Sequence, residues 1–320
     1  MYDVTALGEL LIDFTPHGLS EQGNPLYEQN PGGAPANVLV ALSRLGKKGA
    51  FIGMVGKDQF GAFLENTLKK EKIETRGLRI SNDVRTTLAF VHLNSLGERS
   101  FSFYRNPGAD LMLRPEDVDR QLIKDSRIFH FGSVSMAGEP ARAATLAAAK
   151  FARENGVLVS FDPNYRPLLW PSEGEARSAM EEALQYADIL KVSDEELELI
   201  TGTADLEKGA AGLFNRGIRM IYVTLGAKGC FFYGPAGFGS VPSFPVNAID
   251  TTGAGDGFWG TVLYHLCGKS REELAQISRS EMGEIAMFSC AAGALTTTKK
   301  GAIPGIPTRQ EIIAFIQDKK

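Results

Sequence analysis

Short apolar runs alternate with amphipathic stretches along most of this chain. "YDVTALG", "GAFIGMV", "SRIFHFG", "VLVSFDP", "ADILKVS" and "IRMIYVTLG" are bounded by Gly, Pro or polar residues, the mark of strands buried on both faces. Between them, "EPARAATLAAAKFAREN", "EGEARSAMEEALQYA" and "DLEKGAAGLFNRG" place apolar residues at helical spacing among good helix formers. The alternation predicts an α/β fold: a mostly parallel sheet with helices on both faces. No internal repeat, low-complexity segment or Ser/Gly linker divides residues 1–320, so a single domain is expected.

One region breaks the rhythm. From Thr86 to Asn106 the pattern predicts two strands around the turn Ser95-Leu96-Gly97-Glu98, with Phe101 and Phe103 alternating with Ser100 and Ser102. The early stretch "FTPHGLSEQGNPLYEQNPGG" is too polar and too rich in Gly and Pro for a core. These excursions, at about residues 12–32 and 86–110, are expected to form a lid over the sheet's carboxyl edge, where ligands of α/β sheets bind. An ordinary surface hairpin fits the pattern equally well.

Composition narrows the function. The chain has 320 residues, of which 43% are hydrophobic and 22% charged, the balance of a soluble globular protein. With a net charge of −4 and no long basic run, it lacks the concentrated basic face that nucleic acid requires. A small anionic substrate stays open, since a few placed cations suffice. The start, "MYDVTALGEL", has no basic leader region, and no segment approaches the roughly 18 apolar residues of a membrane span. Cys230, Cys267 and Cys290 are odd in number and without CxxC spacing, and the four histidines show no metal-ligand spacing. The expectation is a cytoplasmic protein with reduced, mostly buried cysteines and no membrane partner.

Two phosphate motifs are excluded. "HLCGKS" ends like a Walker A loop, but Leu263 stands where its first glycine belongs. "GAGDGF" begins like a dinucleotide fingerprint, but Phe258 takes the third glycine position. What remains is "AIDTTGAGDGFWG", in which "VNAID" is read as a strand end, Thr251-Thr252-Gly253 as a turn and "GDGFWGTVLYHL" as a helix. The amides of Ala254, Gly255 and Asp256 would then face one spot, with the helix dipole behind them. Such a hole suits charge developing on a transferring phosphoryl group. Asp256 beside it could take a proton from an attacking hydroxyl. The alternative is an aspartate that merely caps the helix.

A second cluster lies in "NPGGAPANVLVALSRLG", a Gly-Gly turn into a helix with Pro35 near its first position and Asn37 in its first turn. Gly32 and Gly33 let backbone approach a ligand closely. Asp13 ends the apolar run of "GELLIDF", and "DPNYRP" puts Asp162, Asn164 and Arg166 just after a strand. Carboxylates and amides at strand ends suit a polyol, and Arg105 and Arg166 could neutralise phosphate oxygens. Each of these residues alone also reads as a capped turn or a solvated charge.

On these residues the chain resembles the ribokinase-like (PfkB) carbohydrate kinases, and within them the fructokinases. "GGAPANVLVALSRLGKKGAFIGMVGKDQFG" is similar to the family's amino-terminal signature and "DTTGAGDGF" to its carboxyl-terminal one, and the likeness runs from "GELLIDF" through "DPNYRPLLW" to "KKGAIPGIP". The resemblance implies a doubly wound α/β domain with a small β lid, and transfer of the ATP γ-phosphoryl group to a primary hydroxyl, with D-fructose the expected sugar. It implies Asp256 as base, Gly253, Ala254 and Gly255 as anion hole, and sugar contacts from Asp13, Gly32, Gly33, Asn37, Arg105, Asn164 and Arg166. For ATP it points to Lys191, Ser193, Thr224, Gly226, Gly229 and Ser289. Glu196 matches the family's N-x-x-E element near Mg²⁺, though Ser193 replaces the Asn. Asp250 and the Thr252 carbonyl match the border of a monovalent cation site, expected to take K⁺. A homodimer through the lid is a further expectation. Two alternatives stand: a 2-keto-3-deoxygluconate kinase, whose substrate carboxylate would call on Arg105 and Arg166, and a sugar or nucleotide sensor that keeps the fold without catalysis.

Overall fold

The computed structural model describes residues 1–93 and 99–319, so the expected turn Ser95–Glu98 lies outside the described residues. The larger sheet has nine strands, in the order Gly237–Val241, Cys230–Gly234, Met220–Thr224, Ile189–Ser193, Leu158–Asp162, Ser126–Gly132, Tyr2–Leu7, Gly49–Gly56 and Glu74–Ser81. From Met220–Thr224 to Glu74–Ser81 every pairing is parallel. The two pairings at the other edge are antiparallel. This is the mostly parallel α/β sheet that the apolar runs predict, and every run quoted above contributes a strand.

Helices on both faces explain why those runs carry apolar residues continuously. Gly49–Gly56 is buried at every position. Successive side chains point to opposite faces: Val4, Ala6 and Ile128 join one core with Val38, Leu42, Phe258 and Trp259, whereas Leu7, Phe129 and Phe131 join the other with Ala144, Ala148 and Ala176. Cys230, Cys267 and Cys290 are free and buried. Among the described residues no helix is long and apolar enough to cross a membrane.

A second sheet of four strands runs Pro25–Gly32, Leu11–Leu19, Leu88–Leu93, Arg99–Tyr104. Its polar early segment is ordered as strand by pairing and aromatic contact rather than by alternation. Leu11–Leu19 runs antiparallel to Pro25–Gly32 and parallel to Leu88–Leu93. Across these strands Phe14 stacks on Phe90 at 4.8 Å between ring centres, and Tyr27 and Tyr104 meet Phe90 edge-on.

The structure corrects one expected element. Val246–Asp250 is not the end of a strand but an irregular segment, hung on a helix end by bonds from the Ile249 and Asp250 amides to the Thr297 carbonyl at 2.8 and 3.0 Å. Pro242 and Pro245 follow the last edge strand and offer no N–H to a ladder, which stops the sheet there.

Tyr2–Leu7 pairs with Gly49–Gly56 on one side and Ser126–Gly132 on the other, so the chain reverses its direction of winding here. The crevice at the carboxyl end of such a switch point is where open α/β sheets bind ligands. Two helices, Ala34–Arg44 and Ala254–Leu266, pack on each other beside it, with Gly260 at the contact. A Cβ at residue 260 would fall 2.6 Å from both the Ala41 Cβ and the Val38 carbonyl oxygen. Gly260→Ala is therefore expected to lower stability by about 1–3 kcal/mol, as overpacking does, measured by denaturant unfolding.

Candidate active site

The helix Ala254–Leu266 starts at Gly253, whose φ of 77° is in the left-handed region and whose missing side chain offers no cap. A Cβ there would also strike Ala302, at 2.6 Å. Glycine is thus required twice over, for conformation and for space. The first amides of a helix have no partner within it. Of these, Ala254 N–H leans back to the Thr251 carbonyl at 3.3 Å, and those of Gly255 and Asp256 come next in the same turn. Gly255 lines a cavity of about 430 Å³ at the carboxyl edge of the large sheet.

Asp256 is 8% exposed and lines the same cavity. Its Oδ2 accepts a 2.8 Å hydrogen bond from Asn37 Nδ2, which comes from the first turn of the neighbouring helix. Asp13, Gly33, Asn164, Arg166, Lys191 and Thr252 line the cavity too, together with Glu9, Phe103 and Val134. Gly32 stands behind Asp13: a Cβ at Gly32 would overlap the Asp13 carboxylate. Asn164 sits at φ 47°, a strained value that asparagine tolerates, with its amide on Asp162 Oδ1 at 3.1 Å. Lys191 Nζ donates to both Asp162 oxygens, at 2.9 and 2.8 Å, and lies beside Gly255, whose added Cβ would be 3.4 Å from it. The result is a proton acceptor, a helix amino terminus and a buried cation around one space, the parts that phosphoryl transfer to a hydroxyl needs.

Comparison with known proteins shows the family. The family described as pfkB family carbohydrate kinase matches residues 1–309. The chain belongs to the pfkB family of carbohydrate kinases. Probable fructokinase-3 of Arabidopsis thaliana is 44% identical over 320 residues, covering 99% of this chain and 92% of that protein. Among solved structures, a fructokinase from Xylella fastidiosa with bound ATP superposes with a TM-score of 0.92 at 35% identity, covering 100% of this chain and 99% of that one. A fructokinase double mutant from Vibrio cholerae O395, in a form with fructose, ADP and potassium ion bound, gives a TM-score of 0.86 at 36% identity, covering 98% and 97% of the two chains.

Other residues singled out for the pfkB chemistry lie elsewhere. Ser193 and Glu196 line an adjoining cavity of about 380 Å³, which shares Asn164, Arg166 and Lys191 with the first. Both Glu196 oxygens are engaged: Oε2 accepts the Ser193 amide at 2.8 Å and Oε1 the Tyr165 amide at 2.7 Å. Ser193 Oγ accepts the Glu196 amide in return, closing a capping box. Thr224 ends the next strand beside Ser193, and Gly226 and Gly229 follow it with φ of 56° and 110°; none of the three lines either cavity. Asp250 Oδ1 accepts the Thr252 amide at 2.8 Å and its Oδ2 the Gly301 amide at 3.0 Å.

Two further residues lie off both cavities. Arg105 is 7% exposed and off the cavity wall, its guanidinium held by Asp110 at 2.5 and 2.8 Å and by the Val134 carbonyl at 3.0 Å. Ser289 is fully buried inside the helix Arg279–Thr296, with no hydrogen-bond partner for its hydroxyl among the described residues. Glu9 and Asp110 escaped sequence reasoning. The signal for Glu9 was present, a lone carboxylate straight after the apolar run of the first strand.

Burial governs the site's titration. It raises the Asp256 carboxyl to about 6, against the Asn37 hydrogen bond that lowers it. It raises Asp13 and Glu9 to about 7 each. Burial pulls the Lys191 ammonium down, but Asp162 and Glu196 outweigh it and leave Lys191 raised. Carboxyls raised above their unfolded values bind more protons in the native state, so their stabilising contribution is complete below about pH 4 and is lost as pH rises through 7. Asp13→Asn is therefore expected to narrow the gap in thermal midpoint between about pH 5 and about pH 8, measured by thermal unfolding in matched buffers.

Proposed function

We propose that this pfkB-family kinase phosphorylates D-fructose, passing the γ-phosphoryl group of ATP in line to a primary hydroxyl and giving fructose 6-phosphate. The observation that carries the reading is Asp256, a buried carboxylate beside an uncapped helix amino terminus and held by Asn37. As general base it accepts the proton of the attacking hydroxyl, while the amides of Gly253 and Gly255, on either side of the Ala254 amide that leans back to Thr251, face the charge that develops on the phosphoryl oxygens. A non-catalytic sensor would have no use for a base at that point.

The sugar occupies the larger cavity, in reach of Asp13, Gly33, Asn37, Asn164 and Arg166. The ATP phosphates lie along Gly255 and Lys191 toward the adjoining cavity, with Thr224, Gly226 and Gly229 beyond Ser193. The residues present fit ATP: the Lys191 ammonium is fixed by Asp162 next to amides that the helix leaves unpaired. Mg²⁺, when bound, neutralises charge across the phosphates. With both Glu196 oxygens taken by amides, that ion would rest mainly on phosphate oxygens and water. Asp250 and the Thr252 carbonyl border the place proposed for K⁺, consistent with the potassium-bound relative.

Fructose is favoured over a keto acid because Arg105, one of the two cations a substrate carboxylate would call on, is already paired with Asp110. The curated relatives named fructokinase support the same choice. The three buried free cysteines suit a reducing compartment, and we place the enzyme in the cytoplasm. Tyr27 and Tyr104, 38% and 67% exposed on the small sheet, are the groups a second copy would cover in a homodimer.

Coupled-assay measurement of ADP release is expected to show fructose preferred over 2-keto-3-deoxygluconate, ribose and glucose, and faster turnover with K⁺. Asp256→Asn should lower kcat by about 10²- to 10⁴-fold with fructose binding largely kept. Since the base acts deprotonated, kcat/KM should rise with pH through a limb near 6 that the Asn variant lacks. For the dimer, Tyr104→Lys should shift sedimentation toward the monomer, and a monomeric wild type would refute it.

A further inference from the structure

We infer that Glu9 is a positioning residue for phosphoryl transfer: it seats the first turn of the helix Ala34–Arg44 and thereby holds Asn37 on Asp256. The inference rests on the kinase reading above for its catalytic consequence, and on the following contacts for its geometry.

The helix opens at Gly33, which has no side chain to cap it, and Pro35 follows at the start. Glu9 supplies the cap from another part of the chain, its Oε1 accepting the Ala34 amide at 2.9 Å. A carboxylate at a helix amino terminus is held by the dipole as well as by the bond. The main chain of Glu9 grips the same turn: a Cβ on Gly33, at φ 116°, would fall 2.3 Å from the Glu9 carbonyl oxygen. One turn on, the Asn37 amide bonds the Gly33 carbonyl at 3.0 Å, and Asn37 Nδ2 reaches Asp256. The path from Glu9 to the base is therefore continuous and short.

Glu9 is 3% exposed, and its second oxygen, Oε2, is buried without a hydrogen-bond partner among the described residues. A buried acceptor left unsatisfied is destabilising. That cost argues against a purely structural carboxyl and for one kept because Oε1 has work at Ala34. The charged groups that bear on Glu9 are Arg105 and Asp110, which are paired with each other.

The test is a set of variants alone and over Asn37→Ala. Glu9→Gln keeps an oxygen for the Ala34 amide and should hold kcat within about three-fold. Glu9→Met keeps the length without an acceptor and should lose about ten-fold or more in kcat, with KM for ATP little changed. Glu9→Asp keeps the charge but withdraws the oxygen, and should lose as Met does. Over Asn37→Ala, the Met substitution should cost almost nothing further, because both changes break one path. Losses that multiply, or a Gln variant as impaired as Met, would overturn the inference. Should the Met variant not fold, the Gln and Asp pair decides. A second readout needs no turnover: the Asn37 side-chain amide protons should exchange slowly with water in wild type and Gln, and quickly in Asp and Met. Slow exchange in all of them would also overturn it. Wild type inactive on every sugar would reject the kinase reading, while exchange would still decide the role of Glu9.

Discussion

The hydrogen bond between Asn37 and Asp256 joins two helix amino termini that are 219 residues apart in the chain. Each helix brings a positive dipole end to the crevice, and together they make a place where negative charge can be held away from bulk water. Asp256 exploits that place without filling it. Burial pushes its carboxyl up and the Asn37 bond restrains the rise, so the group is ionised near neutrality and still basic enough to take a proton. The helix contact must be close for this to work. Gly260, where a methyl group would collide with Ala41 and Val38, lets the two helices approach. Gly253 and Gly33, both at positive φ, let each helix begin beside the cavity that both glycines line.

Around this clamp the buried cations are fixed by partners of their own, and the partners decide what each can do. Lys191 is held by both oxygens of Asp162, which places the ammonium beside Gly255, where its charge also bears on Asp256. A buried ion pair of this kind contributes little net stability. Under the proposed reaction its value is a cation in position before charge develops. Arg105 is the contrasting case. Asp110 takes the guanidinium through two nitrogens, and Thr87 bonds the other Asp110 oxygen. A buried lysine and a buried arginine therefore stand differently: Lys191 lines the cavity, while Arg105 is off its wall.

The large sheet was legible because burial on both faces leaves continuous apolar runs, and the two glycine-rich helix starts were legible because few other jobs need glycines in that spacing. The small sheet was only half so. Its strands carry Pro, Gly and charge, and Phe14, Tyr27, Phe90 and Tyr104 hold it by contacts that sequence distance hides. The pairing of Arg105 was hidden because its partner, Asp110, sits in a short helical turn with no motif of its own. The burial of Ser289 was hidden because a hydroxyl in an apolar helix looks the same whether it faces a ligand or the core. Glu9 was passed over although a carboxylate following a buried strand has to find a partner, and its partner amide lies 25 residues away.

The S-x-x-E stretch at Ser193–Glu196 shows how one atom's engagement redirects another's role. Where the related pattern has an asparagine, Ser193 caps its own helix, and Glu196 turns back to complete the box. The remaining oxygen of Glu196 does not point to open space either, since it fixes the Tyr165 amide in the loop that carries Asn164 and Arg166. Glu196 thus ties the end of the Lys191 strand to the loop across the adjoining cavity, so one side chain joins two walls of that cavity. A carboxylate so engaged has little left with which to bind an ion directly. Its negative charge still reaches Lys191 and helps keep that ammonium protonated. The charge acts at a distance while the oxygens hold the frame, and the geometry at Gly255 depends on both.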